Sequence, residues 1–124
     1  MSEHTILYVE DNEYNRKIVR QLLSRSACKL LEAADGETGV ALARQHLPNL
    51  ILMDVQLPKM SGLDATRLLT TEEATRHIPI IVITSYALSG DREKAMQAGA
   101  SSYLAKPYSP SELLAMVKQF LPGL

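Results

Sequence analysis

Five short apolar runs, separated by helical patterns, constrain what this chain can fold into. They are Thr5–Val9 (TILYV), Cys28–Ala33 (CKLLEA), Leu50–Val55 (LILMDV), Pro79–Thr84 (PIIVIT) and Ser102–Ala105 (SYLA). Runs this short cannot be helices of ordinary length, and those without polar alternation read as strands covered on both faces. Between them the period changes. Asn12 or Asp11 can cap a helix with Ile18, Leu22 and Leu23 on one face. Glu37–Leu47 follows, with Val40, Leu42, Ala43 and Leu47 as its buried candidates and Pro48 as its stop. Leu63–Leu69 is helical after Gly62, and Asp91–Ala98 is helical up to Gly99. Ser109, Pro110 and Glu112 form a capping box for a last helix, whose stripe is Leu113, Leu114, Val117, Phe120 and Leu121. Strands alternating with helices require βαβ crossovers, hence a parallel sheet in an α/β fold.

Length and composition agree with one domain over residues 1–124 and remove several classes. Apolar types make up 46% of 124 residues and charged types 22%, enough for a core without staples. Thirteen basic residues against fourteen acidic give a net charge of −1, so there is no electrostatic footprint for direct nucleic-acid binding. The polar start from Met1 lacks the pattern of a signal peptide, and no run is long enough to span a bilayer. No membrane insertion is expected. The single cysteine, Cys28, excludes an internal disulfide framework and fits a cytoplasmic, reducing location. It reads as a buried, inert thiol. His4, His46 and His77 have no partner at ligand spacing and read as solvated.

In a parallel α/β sheet the site lies beyond the carboxyl ends of the strands. Those ends are chemically rich here: Glu10 and Asp11 after the first strand, Asp54 on the third, Thr84 and Ser85 on the fourth, Lys106 then Pro107 after the fifth. Taken singly, each has an ordinary reading, such as a helix cap for Glu10-Asp11; jointly they make a cluster. Carboxylates about 4 Å apart repel by roughly 4 kcal/mol at an effective dielectric of ~20. They persist together only with a raised pKa or a bound cation. Hard oxygen ligands without a neighbouring Cys or His select Mg²⁺ or a similar ion. Lys106 supplies a fixed positive charge and Thr84 a hydroxyl donor, a set suited to phosphoryl oxygens. Asp54, on an apolar strand, is the best placed nucleophile.

The stretches Leu7–Asn12 (LYVEDN), Leu52–Pro58 (LMDVQLP) with Gly62 after it, Ile83-Thr84-Ser85 and Tyr103–Pro107 (YLAKP) closely resemble the receiver domain of two-component response regulators. The resemblance covers essentially the whole chain. It implies a flavodoxin-like (βα)5 doubly wound sheet of order 2-1-3-4-5. It implies that Asp54 is the phosphoacceptor, that Glu10, Asp11, Asp54 and the Gln56 carbonyl hold Mg²⁺, and that Lys106 binds phosphate through a cis Lys106–Pro107 turn. Thr84 and Tyr103 would be the switch pair, with Gln56, Tyr86 and Tyr108 at variable positions, the first two of which tune the phosphoryl lifetime in the family. The phosphoryl group would come from a histidine kinase or phosphotransfer protein. The output would be contact between a downstream protein and the face made by the fourth helix, fifth strand and last helix. The chain would then catalyse only its own phosphorylation and dephosphorylation.

A free-standing regulator and a receiver cut from a hybrid kinase both fit this pattern. Enzymes on the same fold fit less well. A flavin carrier needs a phosphate-cradling loop where this chain has Glu-Asp-Asn, and neither GxGxxG nor GxxxxGK[ST] occurs. An aspartate-based phosphatase typically has a second acid two residues after its nucleophile, where this chain has Gln56.

Overall fold

The structure is a computed structural model that describes residues 4–85 and 90–124; Met1 and Tyr86 lie outside the described residues. Strands and helices alternate as expected: β1 His4–Val9, α1 Glu13–Leu23, β2 Cys28–Ala33, α2 Gly36–His46, β3 Leu50–Asp54, α3 Gly62–Thr71, β4 Ile80–Thr84, α4 Asp91–Gln97, β5 Ser102–Ala105 and α5 Pro110–Phe120. All neighbouring strands pair in parallel, in the order β2-β1-β3-β4-β5. The fold is therefore the flavodoxin-like doubly wound sheet. β3 and β4 are buried along their whole length, which explains their lack of alternation.

Period two splits each strand between two cores. Leu7, Val9, Ile51, Met53, Ile80 and Val82 face a cluster with Val40, Ala43, Ala65, Leu69 and Ala95 of α2, α3 and α4. Ile6, Tyr8, Leu50, Leu52, Ile81 and Ile83 face the opposite cluster, with Val19 and Leu23 of α1 and Leu113 and Val117 of α5. The capping box is present: the Ser109 hydroxyl accepts from the Glu112 N–H, and Glu112 accepts from the Ser109 N–H. Of the two cap candidates for α1, the residue used is Asn12, whose side chain accepts from Asn15 N.

Three packing expectations need correction. Ile18 is 40% exposed, and Val19 with Leu23 makes the buried contact of α1. The apolar stripe of α1 is read one residue off, because Val19 and Leu23 are four apart and Ile18 lies about 100° round the helix. Leu47 is exposed because it adopts the left-handed cap of α2, with φ 47°, and its backbone turns the side chain outward. Cys28 is half-buried, with its thiol 3.8 Å from the Leu23 carbonyl oxygen. Gly99 follows α4 at φ 103°, and a Cβ there would meet Thr70 Oγ1 at 2.5 Å, so both backbone and space demand glycine.

Candidate functional site

β1 and β3 are adjacent and parallel, so they deliver their carboxylates side by side. Glu10 continues the β1 pairing through its N–H to the Ala33 carbonyl at 2.9 Å. Its carboxylate accepts from the Asn12 N–H at 3.2 Å and from Asn15 Nδ2 at 3.4 Å. Arg16 Nη1 donates to its carbonyl at 2.7 Å. The first turn of α1 thus fixes Glu10 from both ends. Glu10 and Asp54 are buried, Asp11 is exposed, and carboxylate oxygens of the three lie within 4.8 Å of one another.

Lys106 joins this group from the far side of the sheet. Its Nζ donates to Glu10 Oε1 at 2.8 Å and to Asp54 Oδ2 at 3.2 Å. The Lys106–Pro107 bond is cis, as the resemblance implied. The other oxygen of Asp54, Oδ1, accepts from the Gln56 N–H at 3.2 Å. The chain after β3 folds back so that the Gly62 N–H reaches the Val55 carbonyl at 3.0 Å. A Cβ on Gly62 would lie 1.9 Å from the Asp54 carbonyl oxygen; only glycine lets α3 start this close to the strand.

The electrostatics follow from crowding. Burial, then hydrogen bonding to Glu10 and its negative charge, push the Asp54 carboxyl up to about 6. Burial also works to raise Glu10, but hydrogen bonds with Lys106, Asp54 and the Asn12 backbone outweigh it and hold Glu10 below the usual carboxylate range. Asp11 is raised by desolvation and by Glu10. Lys106 is raised: desolvation opposes its charge, and Glu10 and Asp54 more than restore it. Two carboxylates thus resist ionisation with Lys106 already in place. Three carboxylates and one ammonium sum to −2, the charge a divalent cation would cancel, and the donors are all hard oxygens. The residues fit an Mg²⁺-class ion.

Thr84 ends β4, buried, and its hydroxyl accepts from Gln56 Nε2 at 3.2 Å. Tyr103 is not brought to the carboxylates. It pairs with Val82 in register and packs against the α2–α3–α4 cluster, half-buried, where desolvation and the charge of Asp91 raise its hydroxyl pKa. His46 and His77 are exposed and His4 half-buried; among the described residues no histidine joins a metal-ligating group.

Sequence reasoning missed Tyr8, Asn15 and Arg16. The Tyr8 hydroxyl donates to Glu10 Oε1 at 3.3 Å and hydrogen-bonds Tyr108, and burial pushes both tyrosines up. The signal for Tyr8 was parity: it sits two residues before Glu10 on the same face of β1. Beside it a groove of about 500 Å³ is lined by Asn15, Ile18, Ser85, Lys106, Pro107 and Tyr108.

A 2-1-3-4-5 parallel sheet with acidic groups and a lysine at its carboxyl edge is the architecture of the CheY-like receivers. Residues 6–118 match the response regulator receiver domain, and the chain belongs to that family. It is 41% identical over 117 residues to the polar-differentiation response regulator DivK of Brucella ovis, covering 94% of this chain and 95% of that protein. Among solved structures it resembles the receiver domain of a sensor histidine kinase from Pseudomonas aeruginosa, which holds a magnesium ion in its active-site cleft. The TM-score is 0.88 at 37% identity, covering 98% and 99% of the two chains. A CheY-like receiver domain protein from Methanospirillum hungatei matches with a TM-score of 0.90 at 28% identity, covering 98% and 95%. The protein is therefore a receiver of two-component signalling, a family defined by a phosphorylated aspartate. No helix of the described residues is long and apolar enough to cross a membrane.

Proposed function

We propose that Asp54 accepts a phosphoryl group from the phosphohistidine of a histidine kinase or phosphotransfer protein. The observation that carries this reading is the convergence of Glu10, Asp11 and Asp54 with the Lys106 ammonium at one sheet edge. In the transfer, an Asp54 carboxylate oxygen forms the new P–O bond as the P–N bond breaks, and the imidazole leaves with the electron pair. The Gln56 N–H and Lys106 Nζ orient the carboxylate through its two oxygens. Lys106 holds a positive charge where the phosphoryl oxygens arrive, and the groove beside it is the open approach to that charge. Mg²⁺ would be held by Glu10, Asp11, Asp54 and the Gln56 carbonyl, and when bound it supplies charge neutralisation to the phosphoryl oxygens. By this reading the domain is a switch, not an enzyme acting on other substrates, and it works in the cytoplasm.

The phosphoryl group adds about −1.5 to −2 charges and strong acceptors beside Thr84. Thr84 and Lys106 are the donors that meet it. Movement of Thr84 alters the space beside β5, and Tyr103 carries the change to the surface formed by α4, β5 and α5. A downstream protein reads that surface. The same chemistry serves a free-standing regulator and a receiver within a hybrid kinase.

Intact mass after incubation with a small phosphodonor and Mg²⁺ tests the acceptor. One phosphoryl mass is expected on the wild type and none on Asp54→Asn. Undiminished labelling of Asp54→Asn would remove Asp54 from the role.

A further inference from the structure

Gln56 is tied to the structure through both ends of its side-chain amide. Its Nε2 donates to the Thr84 hydroxyl at 3.2 Å, and its Oε1 accepts from the Ser85 N–H at 3.4 Å. Its own backbone N–H meanwhile donates to Asp54 Oδ1 at 3.2 Å. One residue therefore touches the proposed phosphoacceptor with its main chain and the proposed switch hydroxyl with its side chain. The two ends of the amide also span the gap between the loop after β3 and the end of β4, which no strand pairing bridges past Val55 and Ile83.

We infer that the Gln56 side chain is a latch, a positioning residue that holds Thr84 and the end of β4 in the resting arrangement. The bond to Thr84 is at the long end of the normal range and the bond from Ser85 lies just beyond it, so each is weak and reversible. A phosphoryl group on Asp54 competes for Thr84, and the amide must release the hydroxyl as Thr84 turns to it. The amide is thus one contact that Thr84 must break to respond, and it lowers the fraction of molecules in which that contact is broken. The affinity of the site for a phosphoryl-like anion is reduced by that fraction. This is a threshold on switching at equilibrium, separate from any effect on how long a phosphoryl group survives. The inference rests on the reading of Asp54 as phosphoacceptor.

The test uses beryllium fluoride, which mimics a phosphoryl group on a carboxylate and has no hydrolysis to confuse the result. Binding at saturating Mg²⁺ is followed by fluorine NMR on the full chain. Gln56→Met keeps the length of the side chain and the metal-facing main chain but removes the amide. It should bind beryllium fluoride roughly fivefold more tightly than wild type. In a Thr84→Ala background the same substitution should change affinity less than about twofold, because the latch has lost its hydroxyl partner. Gln56→Asn, too short to hold both bonds, should shift affinity in the same direction and serves if the methionine variant does not fold. Unchanged or weaker binding by these variants overturns the latch, as does an equal gain in the Thr84→Ala background. If wild type with Mg²⁺ fails to bind beryllium fluoride at all, the Asp54 reading itself falls, a result distinct from a wild type that binds and a Gln56 variant that does not differ.

Discussion

The two faces of the sheet finish differently at its carboxyl edge. On the face covered by α1 and α5, the strand positions of Leu50 and Leu52 continue to Asp54, and those of Ile6 and Tyr8 continue to Glu10. On the face covered by α2, α3 and α4, the positions of Ile80 and Val82 continue to Thr84, and Tyr103 lies beside Val82. Period two makes the assignment rigid, since a residue cannot change face without slipping the register. Charge therefore collects over one core, while the hydroxyls that would respond belong to the other. Gln56 links the faces at the rim, contacting Asp54 with its backbone and Thr84 with its side chain. On the proposed reading, capture of a phosphoryl group would draw on the charged face and its readout on the other, with Thr84 and Gln56 joining them at this rim.

The largest way to break this separation is to disturb the anchor shared by both faces. Gly62→Ala forces a methyl group against the Asp54 carbonyl oxygen, where no flexible side chain can yield. We expect a loss of about 3 kcal/mol, read as a lower melting temperature, together with weakened labelling of Asp54. A variant that melts like wild type would show that α3 can retreat from the strand end.

Metal removal is the next largest effect and confined to the charged face. At a hundred times its dissociation constant, Mg²⁺ should add about 2.7 kcal/mol of stability. EDTA should abolish this increment in wild type, and Asp11→Asn should lack it from the outset. The metal-free Asp11→Asn protein should be no less stable than metal-free wild type, because a repelling carboxylate has gone. Equal melting of wild type in EDTA and in millimolar Mg²⁺ would argue against a metal site.

Tyr103→Ala sharpens the comparison from the other side. Half-buried and packed on the α2–α3–α4 cluster, Tyr103 should cost about 1–2 kcal/mol when truncated. Labelling of Asp54 should be unchanged, while chemical shifts along α5 should stop responding to phosphorylation. A retained α5 response would make Tyr103 a packing residue alone.

A smaller effect concerns pH in the absence of metal. Asp54 sits at about 6, above its unfolded value of about 3.9. A carboxyl raised on folding contributes stability that is complete below the unfolded value and is lost as pH rises through the folded one. Metal-free stability should therefore decline between about pH 4 and pH 6, and Asp54→Asn should flatten that decline. Glu10 is lowered, so its contribution has the opposite sign: it is present above its unfolded value of about 4.3 and lost toward lower pH. Thermal melts in EDTA across this window decide the matter; a rise from pH 4 to pH 6 would show that the Asp54 carboxyl is not raised on folding.

Much of this was legible because it follows from local chemistry. The doubly buried runs of β3 and β4, the Ser109–Glu112 box and the Gly99 stop need only neighbours in sequence to be read. The charged cluster was legible because Glu10, Asp54 and Lys106 all fall just where a strand ends. Side-chain direction was harder. Ile18 and Val19 are equally apolar, and only the docking angle of α1 decides that Val19 enters the core while Ile18 lines the groove. The link from Tyr8 to Tyr108 joins residues from opposite ends of the chain, and nothing in either local sequence announces the other. The Gln56 amide was equally hidden: its partners lie on a different strand, and their approach depends on how the loop after β3 folds back.

The place of β3 and β5 in the sheet also bears on how cheaply the domain can signal. β3 has a strand on each side and is buried throughout, whereas β5 is four residues long and has β4 alone for a neighbour. Regions with fewer buried contacts open at lower free energy than the core of the same protein. The proposed phosphoacceptor therefore stands on a strand expected to open late, and on the proposed reading its effect would be delivered to an edge that can rearrange without the whole domain melting. A covalent event at a stiff centre can thus be expressed as a change in the local opening of the rim, with the global folding equilibrium left nearly untouched.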